Sequence, residues 1–357
     1  MPPIDEYIAE LRDIWEARYL TNAGPKHQEL ARRLAAYLQV PHLALFANGH
    51  LALEGALQTL GITGEVITTP FTFASTTLAV VRSQATPVFC DIDPVTYVLD
   101  PEQIEARITD RTQAILPVHV YGNLCDDAKI RAIARKHGLK VIYDAAHAIG
   151  ISRNGVPVGT LGDVSMFSLH ATKVFNSIEG GALAFGDEGL VHGLNAWRQF
   201  GQLGGDNVES IGTNAKLTEF AAAMGICNLR YVDASIAARA EVAKRYRDNL
   251  SGVPGITLSQ IPPGVRHNHS YFPVLFDPVT FGRSRDDVAA TLARQDVFAR
   301  RYFHPLTSQF TVFEGRFPIA ETPIAHRVSE RVLTLPLYAD LALDEVDRIC
   351  EIILSIR

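Results

Sequence analysis

Between residues 42 and 144, short apolar runs alternate with stretches of helical periodicity, and that alternation leaves the chain few architectures. Residues 42–47 read as a buried strand, and 51–60 as a helix on the spacing of Leu53, Ala56, Leu57 and Leu60. The pairing then repeats, with strands at 66–69, 87–92, 114–120 and 139–144 and helices at 73–82, 101–108 and 126–137. A helix between successive strands returns the chain for a parallel neighbour, so the pattern predicts an α/β fold around a mostly parallel central sheet. Residues 1–40 read as helical, 164–169 and 182–185 as further strands, and 217–231 and 234–250 as long amphipathic helices. From Gly252 onward Pro and Gly become more frequent, with a strand at 271–276 and helices at 285–295 and 343–355. The expected organisation is a large domain over 1–246, N-terminal helical segment included, and a smaller C-terminal α/β domain over 247–357.

Composition narrows what such a chain can do. At 357 residues, 47% hydrophobic and 20% charged, it can bury a large core. A net charge of −6 with no long basic cluster lacks the footprint of a nucleic-acid binder and favours a small-molecule ligand. The charged, amphipathic start does not resemble a signal peptide, and no run approaches the ~20 apolar residues of a membrane span. No membrane association and a cytoplasmic location are therefore expected. Cys90, Cys125, Cys227 and Cys350 are widely spaced, with no C-x-x-C and no His pair at ligand spacing, so no disulfide framework and no metal site are expected.

Chemistry concentrates in one constellation. The run Ser168-Leu169-His170-Ala171-Thr172-Lys173 brings a single lysine close to Glu179-Gly180-Gly181, and the strand at 139–144 ends in Asp144-Ala145-Ala146-His147. A lysine amine can hold a cofactor aldehyde as an imine, while an ionised aspartate keeps a pyridine nitrogen protonated and turns the ring into an electron sink. In open parallel sheets ligands gather beyond the C-terminal strand ends, where these residues fall. Asn48-Gly49-His50, between strand and helix, suits a phosphate at a helix N-terminus, or is a plain turn. Phe73, opening the next helix, either stacks on a planar ring or belongs to the core. Ser168 shares a strand face with His170 near the lysine, and its hydroxyl could bind phosphate, or either residue is a satisfied interior polar group. Lys173 could be a solvated loop lysine, Asp144 a helix cap, and His147 a ligand of a ring oxygen or a core-corner residue.

The wording of several segments, in order and spacing, carries a resemblance over nearly the whole chain. These are Leu20-Thr21-Asn22-Ala23-Gly24, Gly64-Glu65-Val66-Ile67-Thr68, residues 87–93, Pro117-Val118-His119-Val120-Tyr121-Gly122, Asp144-Ala145-Ala146-His147, residues 167–173 and Ile211-Gly212-Thr213-Asn214-Ala215-Lys216. The chain resembles the DegT/DnrJ/EryC1/StrS family of sugar aminotransferases, which have the type I pyridoxal-phosphate aminotransferase fold. The resemblance implies pyridoxal 5′-phosphate as cofactor, with pyridoxamine phosphate as its intermediate form. By position it makes Lys173 the Schiff-base lysine and proton shuttle. Asp144 lies on the pyridinium nitrogen, Phe73 on the ring face and His147 near the ring oxygen. Gly49, His50 and Ser168 hold the phosphate.

It further implies a homodimer with shared sites, in which Asn214 reaches the phosphate of the other subunit's cofactor, and a substrate side including Lys216, His170 and Thr21. Two positions depart from the family: His50 stands where a small Thr or Ser is usual, and Lys216 where Arg is frequent, which loses a bidentate fork but keeps the charge. A backbone amide contact at residue 50 would tolerate His50. Residues 46–49, 118–123 and 170–176 resemble the branch that transfers an amino group from L-glutamate to C4 of dTDP-4-keto-6-deoxyglucose, giving dTDP-4-amino-4,6-dideoxyglucose. A UDP- or GDP-linked 4-keto sugar, a 3-keto sugar and a non-catalytic cofactor-binding regulator are the alternatives. Lys173 argues against the dehydratase relatives, in which histidine replaces the lysine.

Overall fold

A computed structural model describes residues 1–202, 204 and 207–357. The N-terminal part runs α1 (Ile4–Ala17), α2 (Pro25–Leu38), β1 (His42–Phe46), α3 (Gly49–Thr59), β2 (Glu65–Thr68), α4 (Ala74–Arg82), β3 (Thr86–Phe89), β4 (Thr112–Leu116), α5 (Asp127–His137) and β5 (Lys140–Asp144). Next come β6 (Ser152–Arg153), β7 (Val156–Pro157), β8 (Val164–Ser168), β9 (Gly181–Phe185), α6 (Leu190–Trp197), α7 (Glu219–Leu229) and α8 (Val232–Leu250). The chain closes with β10 (Ile256–Leu258), β11 (Val265–Arg266), β12 (Phe272–Phe276), α9 (Pro278–Phe281), α10 (Arg285–Ala293), α11 (Pro323–Arg331), β13 (Val332–Leu335) and α12 (Leu343–Ser355).

Seven strands form the central sheet in the order β1-β9-β8-β5-β4-β2-β3. The five from β8 to β3 are parallel neighbours, and β9 runs antiparallel to both β8 and β1. The expected α/β architecture is thus present. Both faces are covered, which is why the strands read as unbroken apolar runs. Successive side chains still sort by face: Val66, Leu116, Ile142 and Met166 pack in one core with Leu53, Leu57 and Trp197, whereas Ile67, Ile115, Val141 and Tyr143 pack in another with Ile130.

A second, antiparallel sheet, β10-β12-β13, packs with α8, α10 and α12 around Tyr246, Phe276, Val288, Leu333 and Ile349. Helix α8 belongs to both regions, since Val232 and Ile236 sit in a core of the large sheet and Val242 to Leu250 in that of the small one. Among the described residues no helix is long and apolar enough to cross a membrane.

One expected helix is different. Residues 101–108 form two short 3₁₀ turns, Pro101–Gln103 and Glu105–Arg107, closed by Ile104 N to Pro101 O (3.3 Å) and Ile108 N to Glu105 O (3.2 Å). Neither turn buries a residue, so the segment's one fully buried side chain, Ile104 between them, leaves too narrow an apolar stripe to hold an α-helix against the core. The strand expected at 114–120 stops at Leu116, because Pro117 has no N–H for the ladder.

Two buried carboxylates tie distant parts together. Glu219 accepts the N–H groups of Lys26 (2.7 Å) and His27 (3.0 Å) at the start of α2. Asp91, 2% exposed, accepts those of Ile324 and Ala325 (2.8 Å each) at the start of α11. Asp91→Ala leaves those two donors unpaired, and we expect it to cost about 2–3 kcal/mol of stability. Urea unfolding of variant and parent measures it; an unchanged midpoint would show that this cap does not hold α11 in place.

Candidate active site

The C-terminal ends of β1, β2, β5 and β8 open onto one cavity of about 510 Å³. Asp144, the last residue of β5, is 4% exposed there. No helix follows it, so it is not a helix cap: its Oδ1 accepts the Ala146 N–H (3.1 Å) and its Oδ2 the Thr76 hydroxyl (2.7 Å). Thr76 lies 2.8 Å from the hydroxyl of Thr72, oxygen to oxygen. Burial raises the Asp144 pKa, and the Thr76 hydroxyl, the Ala146 amide and the charge of Lys173 oppose that rise.

Lys173 is placed by the turn that follows β8, closed by Lys173 N to His170 O at 2.9 Å. Its side chain enters the cavity rather than solvent, and Nζ reaches the Tyr271 hydroxyl at 3.4 Å. Burial lowers the lysine pKa, partly countered by Asp144 and then Tyr302. His147, 5% exposed, accepts the Tyr121 N–H at Nδ1 (3.1 Å), which assigns its proton to Nε2. Burial, then Lys173, hold its pKa well below the usual value, so it is neutral. The ring lies parallel to Phe303 (5.9 Å, 3°) and edge-on to Tyr271 (4.8 Å, 66°).

Phe73 is not a core residue. It precedes α4 and leaves 59% of its surface exposed on the cavity wall, an apolar face free to take a planar ring. On the same wall α3 begins with Gly49, and Asn48 Oδ1 accepts the Leu51 N–H (2.9 Å). The first-turn amides of Gly49 and His50 remain for an anion, with Ser168 beside them on the wall. The glycine at 181 lets β9 approach this turn closely: a Cβ there would stand 2.4 Å from the Asn48 carbonyl carbon. The His50 imidazole is engaged elsewhere, 2.9 Å from Glu54 Oε1 and 3.1 Å from the Ser75 hydroxyl, and Glu54 also pairs with Arg82. What His50 offers an anion at the helix end is its backbone amide.

His170 also lines the cavity, its Nδ1 2.8 Å from the Thr172 hydroxyl. Thr21, Asn214 and Lys216 are not on this wall. Asn214 is exposed and accepts a hydrogen bond from Lys216 Nζ (2.6 Å), which lies 4.9 Å over the Phe200 ring. The Glu219 N–H to Leu20 carbonyl bond (3.1 Å) fastens the Thr21 loop beside the same stretch. Sequence reading missed Thr76, Tyr271, Tyr302 and Phe303. Thr72 and Thr76 carry a signal in their i, i+4 spacing at a helix start; the aromatic residues come from distant segments and carry none.

This donor set fits pyridoxal phosphate. A buried carboxylate short of positive partners suits a protonated ring nitrogen, the open Phe73 face a planar ring, the neutral Nε2–H of His147 a ring oxygen, and the α3 start a phosphate.

The DegT/DnrJ/EryC1/StrS aminotransferase family matches residues 4–354. The chain is 41% identical to a dTDP-4-amino-4,6-dideoxy-D-glucose transaminase of Shigella dysenteriae, over 100% of this chain and 97% of that protein. It is 39% identical to a protein of the same name from Escherichia coli, over 99% and 96%. Among solved structures it is similar to DesI, crystallised in the presence of its TDP-sugar product, with a TM-score of 0.94 at 35% identity over 99% of this chain and 90% of that one.

Thr76→Val removes the side-chain hydroxyl that opposes the rise in the Asp144 pKa. The carboxylate then takes up its proton at a higher pH, so on acidification the variant is expected to release pyridoxal phosphate at a higher pH than the parent. Cofactor absorbance after gel filtration across a pH series measures this; coincident curves would disconnect Thr76 from the carboxylate's charge.

Proposed function

The chain belongs to the DegT/DnrJ/EryC1/StrS aminotransferase family, and from that premise we propose that it transfers an amino group from L-glutamate to C4 of dTDP-4-keto-6-deoxyglucose, giving dTDP-4-amino-4,6-dideoxyglucose. The observation that carries the chemistry is Lys173 and Asp144 facing one cavity beside the exposed ring of Phe73. The substrate rests on similarity to the two transaminases and to DesI.

When bound, pyridoxal phosphate supplies the aldehyde that carries the amino group and a protonated ring that withdraws electrons from the reacting carbon. Asp144 would hold that ring nitrogen, its ionised form and the ring's positive charge each favouring the other in a site of low dielectric. His147, fixed by Tyr121 and Phe303, presents Nε2–H as a donor and cannot compete for the proton of Lys173. Phe73 would cover one ring face, and Gly49, His50 and Ser168 would hold the phosphate. Lys173 Nζ carries the proton in each half of the transfer; its lowered pKa makes the free amine a competent acceptor.

Asn214, Lys216 and Thr21 serve the site of a second copy in a homodimer. Exposed apolar residues around them, Leu20 (53%), Phe200 (54%) and Ile211 (90%), support an interface there.

Borohydride is expected to fix the cofactor on Lys173, and Lys173→Ala to abolish transamination; reduced cofactor on another lysine would remove Lys173 from its role. Comparing dTDP-, UDP- and GDP-linked 4-keto sugars with a 3-keto sugar should show a preference for the dTDP-4-keto sugar of ~100-fold in kcat/KM, about 2.7 kcal/mol. An equal preference for any other sugar would replace the substrate and keep the reaction. Mixing Lys173→Ala with Asn214→Ala subunits puts both lesions into one site of each mixed dimer and leaves the other site intact. Activity should return; with proven subunit exchange and two inactive parents, no return would assign Asn214 to its own subunit.

A further inference from the structure

We propose that Tyr271 is a positioning residue for Lys173: its phenol oxygen accepts a hydrogen bond from Nζ and favours the protonated lysine. This rests on Lys173 being the reactive amine. Tyr271 precedes β12 and reaches the cavity from the C-terminal part of the chain. Among the described residues the one hydrogen-bond partner of its hydroxyl is Lys173 Nζ, at 3.4 Å, long for a hydrogen bond, as contacts in a site without substrate often are. The amine also lies 5.8 Å from the centre of the Tyr271 ring.

The position is built. Asn268, wholly buried, donates through Nδ2 to the carbonyls of His147 and Ile149 (2.8 Å each), and the Ser270 hydroxyl donates to the same His147 carbonyl. Three residues before Tyr271, the chain is thus strapped to the loop that follows Asp144. The ring then rests edge-on against His147 and Tyr302.

The groups facing Nζ are few. Asp144 acts through space without an ion pair, His147 is neutral, and Tyr302 contributes a weaker attraction. Burial pushes the Tyr271 hydroxyl up to about 12, against the opposing charge of Arg239, so it stays protonated and meets the lysine as an uncharged acceptor. A hydrogen bond from an ammonium to such an oxygen is stronger than one from a neutral amine. Tyr271 therefore opposes burial and lets Nζ retain the proton it takes up.

The test is the reaction of Lys173 with fluorodinitrobenzene in the full-length chain freed of cofactor, followed by peptide mass spectrometry across pH. In Tyr271→Phe the midpoint should move to lower pH, with labelling at about pH 8 faster by about threefold or more. In the loaded enzyme kcat should fall while KM for the sugar stays near the parent value. Ser270→Ala, which loosens the strap and keeps the phenol, should shift the labelling midpoint in the same direction by less, and stands in if Tyr271→Phe does not fold. A midpoint that stays put or moves to higher pH overturns the proposal. If Lys173→Ala still transaminated, the underlying reading would fail, whatever the labelling showed.

Discussion

Burying the Asp144 carboxylate at the end of a strand covered on both faces is the constraint around which the cavity is arranged. A lone carboxylate there pays a desolvation cost that two hydrogen bonds, from Thr76 and Ala146, only partly offset. The remainder invites a cation, and Lys173 comes no closer than an interaction through space. A cationic ring nitrogen completes the balance. The other wall residues follow from it: His147 must be neutral so that it adds no competing charge, and its Nδ1 is spent on the Tyr121 amide, leaving a donor toward the cavity.

How much of this the sequence shows depends on what each residue's neighbours in sequence reveal. The sheet was legible because covered parallel strands must be apolar runs between amphipathic helices, and the strand order placed Asp144, Lys173, Phe73 and the Gly49 turn at one edge. Phe73 remained ambiguous in sequence, since an aromatic at a helix start packs inward as readily as outward; only its exposed face decides. The 101–108 segment misled because its composition is helical while its burial is not. Tyr271, Tyr302 and Phe303 were invisible for a different reason. They reach the cavity from well over a hundred residues beyond Asp144, through loops whose course no local period encodes.

His50 shows the limit of reasoning by residue type. In sequence it stands where a small hydroxyl residue is usual, which invites a side-chain account. In the fold its imidazole is spent between Glu54 and Ser75, leaving the backbone amide as its contribution at the helix start. The anion end of the cavity is then defined by peptide geometry and two glycines, and is tolerant of what residue 50 carries beyond Cβ.

Helix α8 is shared property. Its first turns are part of the large sheet's packing and its last turns part of the small sheet's, with no break between. Melting either core strips the packing from one end of the same helix, so loss of one region weakens the hold on the other. Asp144, at the end of a strand of the large sheet, and Tyr271, which leads into a strand of the small one while packing against the large sheet's core, then meet only where both sheets are in place, and a half-folded chain presents no reactive lysine in a finished cavity.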